Sequence, residues 1–176
     1  MSSSSPQLEN KLTIATGAVV CQEALLLGEI TIGAGTVIHP KAQILAEAGP
    51  IIIGENNLIE ENALISNKSS PARTMVIGNS NVFEIASQTY AMSVGDNNVV
   101  EVRGRVGEHV EVSSGCVIGV GCSLSTPGLL PERTVIFGEK SARRIACEKP
   151  MVQNSQLEYL RKALPSYHYL ANKKPQ

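Results

Sequence analysis

Apolar residues recur at every sixth position through most of this chain. The count runs from Ile14 to Ile136, with three residues inserted before Ile53 and one residue lost before Val94. The counted positions are Ile14, Val20, Leu26, Ile32, Ile38, Ile44, Ile53, Ile59, Ile65, Ile77, Phe83, Val94, Val100, Val106, Val112, Ile118, Leu124, Leu130 and Ile136. A helix repeats near 3.6 residues and a lone amphipathic strand near 2, so a spacing of six indicates stacked repeats.

The residues between the counted positions predict tight corners. The fourth residue after a counted position is often small: Ala18, Ala24, Thr36, Ala42, Ala63, Cys116, Cys122 and Thr134. The steps GENN (54–57), GNSN (78–81) and GDNN (95–98) suit corners because Asn and Gly tolerate left-handed backbone conformations. Three hexads complete one triangular coil, so the chain predicts an all-β parallel β-helix of about seven coils with inward aliphatic residues.

The pattern divides the chain into three parts. Residues 1–12 are expected to form a flexible N-terminus, residues 13–141 the β-helix, and residues 142–176 a C-terminal helical extension. The polar stretch 66–76 interrupts the hexads and predicts a loop excursion from the prism.

The extension carries the signals of a helix. Residues 155–158 (SQLE) match a capping box, Pro165 is expected to stop the helix, and residues 167–170 offer a second short helix. An apolar stripe is expected to pack along the prism, the alternative being a site for a partner helix. The stripe consists of Leu157, Leu160 and Leu164.

Composition supports one domain with an aliphatic core. The 176 residues are 43% hydrophobic but include two Phe and no Trp. Residues 1–138 hold 7 basic and 13 acidic residues, and residues 139–176 hold 8 and 3. The basic tail is expected to lie on the acidic body, an acidic partner being the alternative. Without a basic face carrying aromatic platforms, nucleic-acid binding is not expected.

Targeting and redox signals favour the cytosol. No apolar run approaches the roughly 20 residues needed to cross a bilayer, and the N-terminus has no signal-peptide pattern, so neither secretion nor membrane insertion is expected. The four cysteines contain no CxxC pair, which fits a reducing compartment.

The hexad pattern resembles the left-handed β-helix family, and its insertions resemble those of the gamma-class carbonic anhydrases within that fold. This resemblance implies a left-handed coil and places the zinc-ligand positions at Ser66, Ile85 and Tyr90. None of the three has the imidazole that binds zinc in that family, so no metal or other cofactor is expected. The arginine that helps to organise the family's trimer corresponds to Leu45.

Acyltransferases share the fold and usually need a histidine as general base. His39 and His109 are expected to face solvent, and His168 lies in the extension. Cys116 and Cys122 fall at the small corner position and are expected to serve packing. An enzyme of the anhydrase or acyltransferase type is therefore kept only as the alternative.

A more specific resemblance covers nearly the whole chain. Residues 17–65, 81–101, 113–125 and 164–170 look like the dynactin subunit 6 family. The resemblance implies a non-catalytic structural and adaptor subunit of the dynactin pointed-end complex, supporting dynein-driven transport along microtubules and cargo engagement. It implies contact with dynactin subunit 5, dynactin subunit 4 and the pointed-end actin-related protein, in the cytoplasm and with the cytoskeleton.

Interface residues are predicted from residue type. Aromatic residues are rare in this chain, and Arg is enriched at protein interfaces. The candidates are Phe83, Tyr90, Arg143, Arg144, Arg161 and Lys162. The alternative is a core phenylalanine and a solvated basic tail.

Overall fold

Each six-residue step folds as a short strand and a corner, and three steps complete one turn of a parallel β-helix. The computed structural model describes residues 9–171. In chain order the strands are β1 (Lys11–Ile14), β2 (Val19–Val20), β3 (Leu25–Leu27), β4 (Glu29–Ile32), β5 (Val37–Ile38), β6 (Gln43–Leu45), β7 (Ile51–Ile53), β8 (Leu58–Ile59), β9 (Leu64–Ser66), β10 (Met75–Ile77), β11 (Val82–Phe83), β12 (Gln88–Thr89), β13 (Ser93–Val94), β14 (Val99–Val100), β15 (Arg105–Val106), β16 (Val110–Val112), β17 (Val117–Ile118), β18 (Ser123–Leu124), β19 (Gly128–Leu130), β20 (Thr134–Phe137) and β21 (Ala142–Ile145). One helix, α1 (Asn154–Tyr167), follows them.

Every third strand stacks on the same side of the prism. Face 1 is the sheet β1-β4-β7-β10-β13-β16-β19, face 2 is β2-β5-β8-β11-β14-β17-β20-β21, and face 3 is β3-β6-β9-β12-β15-β18. Neighbouring strands from β1 to β20 pair in parallel, and inward residues of successive coils stand opposite one another, as Ile53 does with Ile32 and Ile77. The predicted fold class, a parallel β-helix of about seven coils with a helical extension, is confirmed.

The core is the stack of counted residues. They form one buried cluster from Val20 to Ile136, and Ile14 in the first coil is partly buried against it. The small corner residues Ala42, Ala63 and Cys116 are fully buried, as predicted. Burying each Ile, Val or Leu contributes roughly 1.5–3 kcal/mol, so this stack supplies most of the driving force for folding.

The Asn-rich steps turn the corners and also stack. Their third residues have left-handed backbones: Asn56 (φ 54°), Ser80 (φ 57°) and Asn97 (φ 55°). The fourth residues form a buried ladder in which Asn81 Nδ2 donates to Asn57 Oδ1 at 3.0 Å and Asn98 Nδ2 donates to Asn81 Oδ1 at 3.0 Å. Each rung links one coil to the next, so these asparagines are structural.

Helix α1 packs on the outer surface of face 2. Leu157 is 2% exposed and Leu164 9%, and both join a cluster with outward-facing residues of the first four face-2 strands. Those residues are Val19, Val37, Leu58 and Val82. The expectation that the leucine stripe packs along the prism is confirmed, which removes the partner-helix alternative for these two leucines.

Both predicted ends of the helix are wrong. The helix begins at Asn154 with Gln153 as N-cap, which makes no side-chain cap bond, so Ser155 lies inside the helix and the expected capping box does not form. Pro165 lies within the last turn, and the His168 amide still donates to Leu164 O at 2.9 Å. A proline this close to the end removes one backbone donor without ending the helix.

The ends of face 2 are closed by the extension. Strand β21 pairs antiparallel with β20, so the predicted helical extension begins with a strand. At the opposite end Leu170 bridges Cys21, and the Gln22 amide donates to Tyr169 O at 2.7 Å. The predicted second helix over 167–170 is therefore wrong, because Tyr167 ends α1 and the chain after it is extended and runs along β2.

The predicted part boundaries shift slightly. The first strand starts at Lys11, inside the segment 1–12 that was expected to be flexible, while residues 1–8 lie outside the described residues. The excursion predicted at 66–76 is shorter, because Ser66 ends β9 and Met75 begins β10. Buried Asn67 organises this loop by donating to backbone oxygens on both sides. Between residues 9 and 171, no helix is both long and apolar enough to cross a membrane.

Candidate functional site

The three positions that correspond to zinc ligands hold side chains with other contacts. Ser66 is fully buried and donates to Glu47 Oε2 at 2.8 Å. Ile85 is 46% exposed at the corner after β11 and has no lone pair to offer a metal. Within residues 9–171, no group of three His, Cys, Asp or Glu side chains is placed to hold a metal ion.

The third position, Tyr90, lies among cations. Lys68 Nζ is 5.7 Å and Arg105 Cζ 5.3 Å from the centre of its ring, both within cation–π range. Lys68 also lies 3.7 Å from Glu47, the carboxylate that Ser66 contacts. A positively charged neighbourhood repels a metal cation, so electrostatics as well as ligand chemistry oppose zinc here.

His39 is buried, which corrects the expectation that it faces solvent. It is 7% exposed, and its Nδ1 donates to Glu61 Oε1 at 2.8 Å from the next coil. Its Nε2 is buried and has no hydrogen-bond partner among the described residues. A general base must contact the substrate proton, and this nitrogen is closed off from solvent.

The carboxylate of Glu61 remains ionised as the acceptor of this bond. Partial burial opposes ionisation, but the hydrogen bond from His39 and a backbone N–H outweigh it, and the pKa of Glu61 lies below its usual value. His109 is exposed, as expected, and His168 Nδ1 lies 3.4 Å from Glu23 Oε1. The three histidines thus occupy separate structural positions.

A column of glutamates follows face 2 at its corner with face 3. Glu60, Glu84 and Glu101 each accept a hydrogen bond from a backbone N–H of the next coil, at 3.2, 3.0 and 2.9 Å. Burial, followed by the charge of Glu84, raises the pKa of Glu60. These carboxylates cap turns, which accounts for part of the acidity of the body.

The corner cysteines are packed thiols. Cys116 and Cys122 are buried, and burial raises the pKa of Cys116. Cys21 is also buried, and its pKa is raised to about 11 by burial and then by Glu23 and Glu61. A thiol with a raised pKa is a poor nucleophile, because the reactive species is the thiolate.

The predicted interface residues are not gathered at one place. Phe83 is 1% exposed and lies in the prism core, so its assignment to an interface is wrong. The counted position of Phe83 in the hexad pattern already indicated that its side chain points into the core. Tyr90 is half-buried on face 3, whereas Arg143 and Arg144 are exposed on β21 at the far end of face 2.

The two cations of the helix have partners within the chain. Arg161 Nη1 donates to Gly35 O and Asn56 Oδ1, both at 3.3 Å, which fastens α1 to face 2. Lys162 Nζ lies 2.9 Å from Glu158 on the helix surface. The basic tail thus contacts the body through Arg161, and the acceptors are neutral oxygens and not carboxylates.

Sequence reasoning missed the leucines on the outer surface of face 3. They alternate with the inward residues of β3, β6 and β9, and Leu25 is 45% exposed. The group consists of Leu25, Leu27, Leu45 and Leu64. The available signal was that these leucines flank counted positions, where an exposed strand normally carries polar residues.

Sequence comparison finds relatives that share one name, although no family model matches the chain. Dynactin subunit 6 of Xenopus tropicalis is 50% identical over 166 residues, covering 89% of this chain and 83% of that protein. Dynactin subunit 6 of Nematostella vectensis is 48% identical over 173 residues, covering 93% and 94%. The Caenorhabditis elegans protein of the same name is 37% identical over 163 residues, covering 93% and 90%.

Solved structures share the fold at low identity. A hexapeptide transferase family protein from Anaplasma phagocytophilum superposes with a TM-score of 0.67 at 18% identity, covering 89% of this chain and 88% of that one. LpxA, a UDP-N-acetylglucosamine acyltransferase from Bacteroides fragilis, gives 0.53 at 19% identity, covering 81% and 74%. Identity at this level describes the shared β-helix and carries no activity across.

Proposed function

The chain belongs to the dynactin subunit 6 family, and on that premise we propose that it is a non-catalytic structural and adaptor subunit of the dynactin pointed-end complex. The observation that carries the proposal is identity of about half the residues in alignments that cover 93% and 89% of this chain. In this role it lies in the cytoplasm with the cytoskeleton and supports dynein-driven transport along microtubules and cargo engagement.

The proposed partners are dynactin subunit 5, dynactin subunit 4 and the pointed-end actin-related protein. The shape of the molecule suits such a position. Stacked coils give a rigid prism, and the chain's own helix covers the first four strands of face 2. The outer surfaces of faces 1 and 3 are not covered by α1 and are available for contact with neighbouring subunits.

Co-purification tests the proposed assembly. The full chain is co-expressed with the three partners, and size-exclusion chromatography at moderate salt is expected to elute it with at least one of them. A parallel run of the chain alone fixes its own elution volume. Elution of the chain at that volume in every mixture would contradict the proposal.

The enzyme alternative makes different demands. A gamma-class anhydrase requires zinc, whereas Ile85 offers no ligand and Tyr90 sits beside two cations. We expect elemental analysis to find no stoichiometric zinc and CO2 hydration to match the uncatalysed rate, with a genuine zinc anhydrase as positive control. Stoichiometric zinc with hydration activity would favour the enzyme.

A further inference from the structure

We propose that the outer surface of face 3 is the docking surface for a partner chain that presents a flat aliphatic surface with a carboxylate opposite Arg105. The inference rests on the proposed function and deepens it, because it assigns the partner contact to one face of the prism.

Face 2 shows how this chain treats an aliphatic outer surface. Its outward residues Val19, Val37 and Leu58 are buried because α1 lies over them. Face 3 has a comparable set of outward leucines, but Leu25 is 45% exposed and Leu27, Leu45 and Leu64 are only partly buried. In parallel register Leu25 and Leu64 both flank Gln43, and Leu27 stands beside Leu45, so the leucines form one patch across three coils.

The chain's described ends lead away from this patch or along its edge. Residues 169–171 run antiparallel to β2 on face 2. At the other terminus Asn10 Oδ1 accepts from the Gly28 amide, at the corner where face 3 passes into face 1. Within residues 9–171, no helix or strand is stacked on the outer surface of face 3, which an outside partner can therefore reach.

Charge indicates what the partner carries. Arg105 stands outward on β15 beside Tyr90 and forms no ion pair among the described residues. Lys68 reaches the same ring, and within residues 9–171 its one ion pair is with Glu47. An Arg and a Tyr next to an aliphatic patch are the residue types that dominate binding energy at interfaces, and the unpaired guanidinium matches a carboxylate.

The face is large enough for a stable contact. Six strands at about 4.8 Å spacing give a length of about 29 Å, and a six-residue step at about 3.3 Å per residue gives a width of about 20 Å. The projected area is roughly 600 Å². Protruding side chains add contact area and bring the total toward the roughly 800 Å² that each partner buries in a standard interface.

A second copy of this chain fits poorly. A two-fold interface presents the same residues from both sides. With the two prisms parallel, Arg105 would face Arg105. With the prisms antiparallel, the leucines of β3 would face Ser123 of β18. A different protein, whose surface is apolar opposite the leucines and acidic opposite Arg105, complements both regions of face 3.

Calorimetric titration of the full chain with each of the three proposed partners tests the inference. The face-3 variants are Leu64→Glu and the exposed Arg105→Glu. The controls are Met151→Glu, at an 85% exposed position before α1, and Lys140→Glu, in the turn between β20 and β21. All variants must melt within a few degrees of the wild type.

We expect both face-3 variants to raise Kd at least about tenfold and the controls to stay within about twofold. Binding by the wild type is expected to weaken with salt more steeply than binding by Arg105→Glu. If the wild type binds a partner and the face-3 variants bind it with unchanged Kd, the assignment of the contact to face 3 is wrong, while the proposed function stands.

The remaining outcomes are also decisive. A wild type that binds none of the three partners overturns the proposed function and this inference together. A wild-type self-association that Leu64→Glu abolishes assigns the face to a second copy and overturns the stated partner.

Discussion

Thr36 and Thr89 are both fully buried and differ in what their hydroxyl groups contact. Thr36 Oγ1 donates to Gly54 O at 2.8 Å and accepts from the Asn57 amide at 3.2 Å. Thr89 stands at an inward position between Ile65 and Val106, where its Oγ1 has no hydrogen-bond partner among the described residues. The threonine hydroxyl therefore stabilises the fold at position 36 and destabilises it at position 89.

Valine at these two positions should have opposite effects. Thr89→Val replaces an unpaired buried hydroxyl with a methyl group and is expected to raise the free energy of unfolding by about 1 kcal/mol. Thr36→Val removes two hydrogen bonds and leaves buried groups unpaired, so it should lower that energy by roughly 1–3 kcal/mol. Urea denaturation measures both, and a loss of stability from Thr89→Val would refute the assignment.

The glutamate column makes a prediction about ionisation. Replacing Glu84 by Gln keeps an acceptor for the Val102 amide and removes the neighbouring charge, so the pKa of Glu60 is expected to fall toward the usual value of a glutamate. A carboxyl with a raised folded pKa costs stability as pH rises through that pKa, and Glu84→Gln should reduce this cost at pH values above the usual carboxyl pKa. NMR titration of the Glu60 carboxyl carbon measures the shift, and Glu108→Gln, in an exposed corner, is the control.

At the scale of elements, α1 is held by its contacts with face 2 more than by its own ends. It has no side-chain cap, no acidic residue in its first turn and a proline inside it. Two buried leucines and Arg161 anchor it to the prism. Tertiary packing commonly outweighs local helix signals, and this explains why the helix extends beyond both predicted ends.

Truncation of one anchor should therefore loosen the helix. Leu157→Ala removes a side chain that is 2% exposed and is expected to lower the free energy of unfolding by about 2–4 kcal/mol, or to undock the helix first. Circular dichroism at 222 nm during urea denaturation separates the two results. Tyr159→Ala, at a 69% exposed position, should change stability by less than about 0.5 kcal/mol. Equal effects of the two variants would show that α1 is not anchored by Leu157.

At the scale of the whole molecule, each coil contacts chiefly the coils before and after it. The parallel ladders and the asparagine ladder both link neighbours only. In such an architecture the end coils open more easily than the middle ones. The two end strands of face 2 are exceptions, because β21 pairs with β20 at one end and residues 169–171 pair beside β2 at the other.

Hydrogen exchange can detect that closure. Removing residues 169–176 deprives the Gln22 amide of its acceptor, Tyr169 O, and is expected to accelerate exchange of that amide at least about tenfold. Exchange in β14, in the middle of the same face, should not change and serves as the internal control. Unaltered exchange at Gln22 would mean that the extension does not protect this edge.

The hexad pattern by itself determined the coil, the inward residues and the small corners. Each follows from positions a few residues apart: alternation puts Ile53 inward, and a left-handed backbone at Asn56 turns the corner. The absence of imidazole at positions 66, 85 and 90 was also legible in the sequence, since ligand chemistry depends on residue type.

Only the tertiary structure decided the contacts between coils. His39 is buried because Glu61, 22 residues later, lies beside it on the next coil. The ends of α1 depend on packing against face 2, and face 3 stays open because the extension folds over face 2 instead. Such contacts join residues that are distant in sequence, and a six-residue period carries no information about which face the following chain will cover.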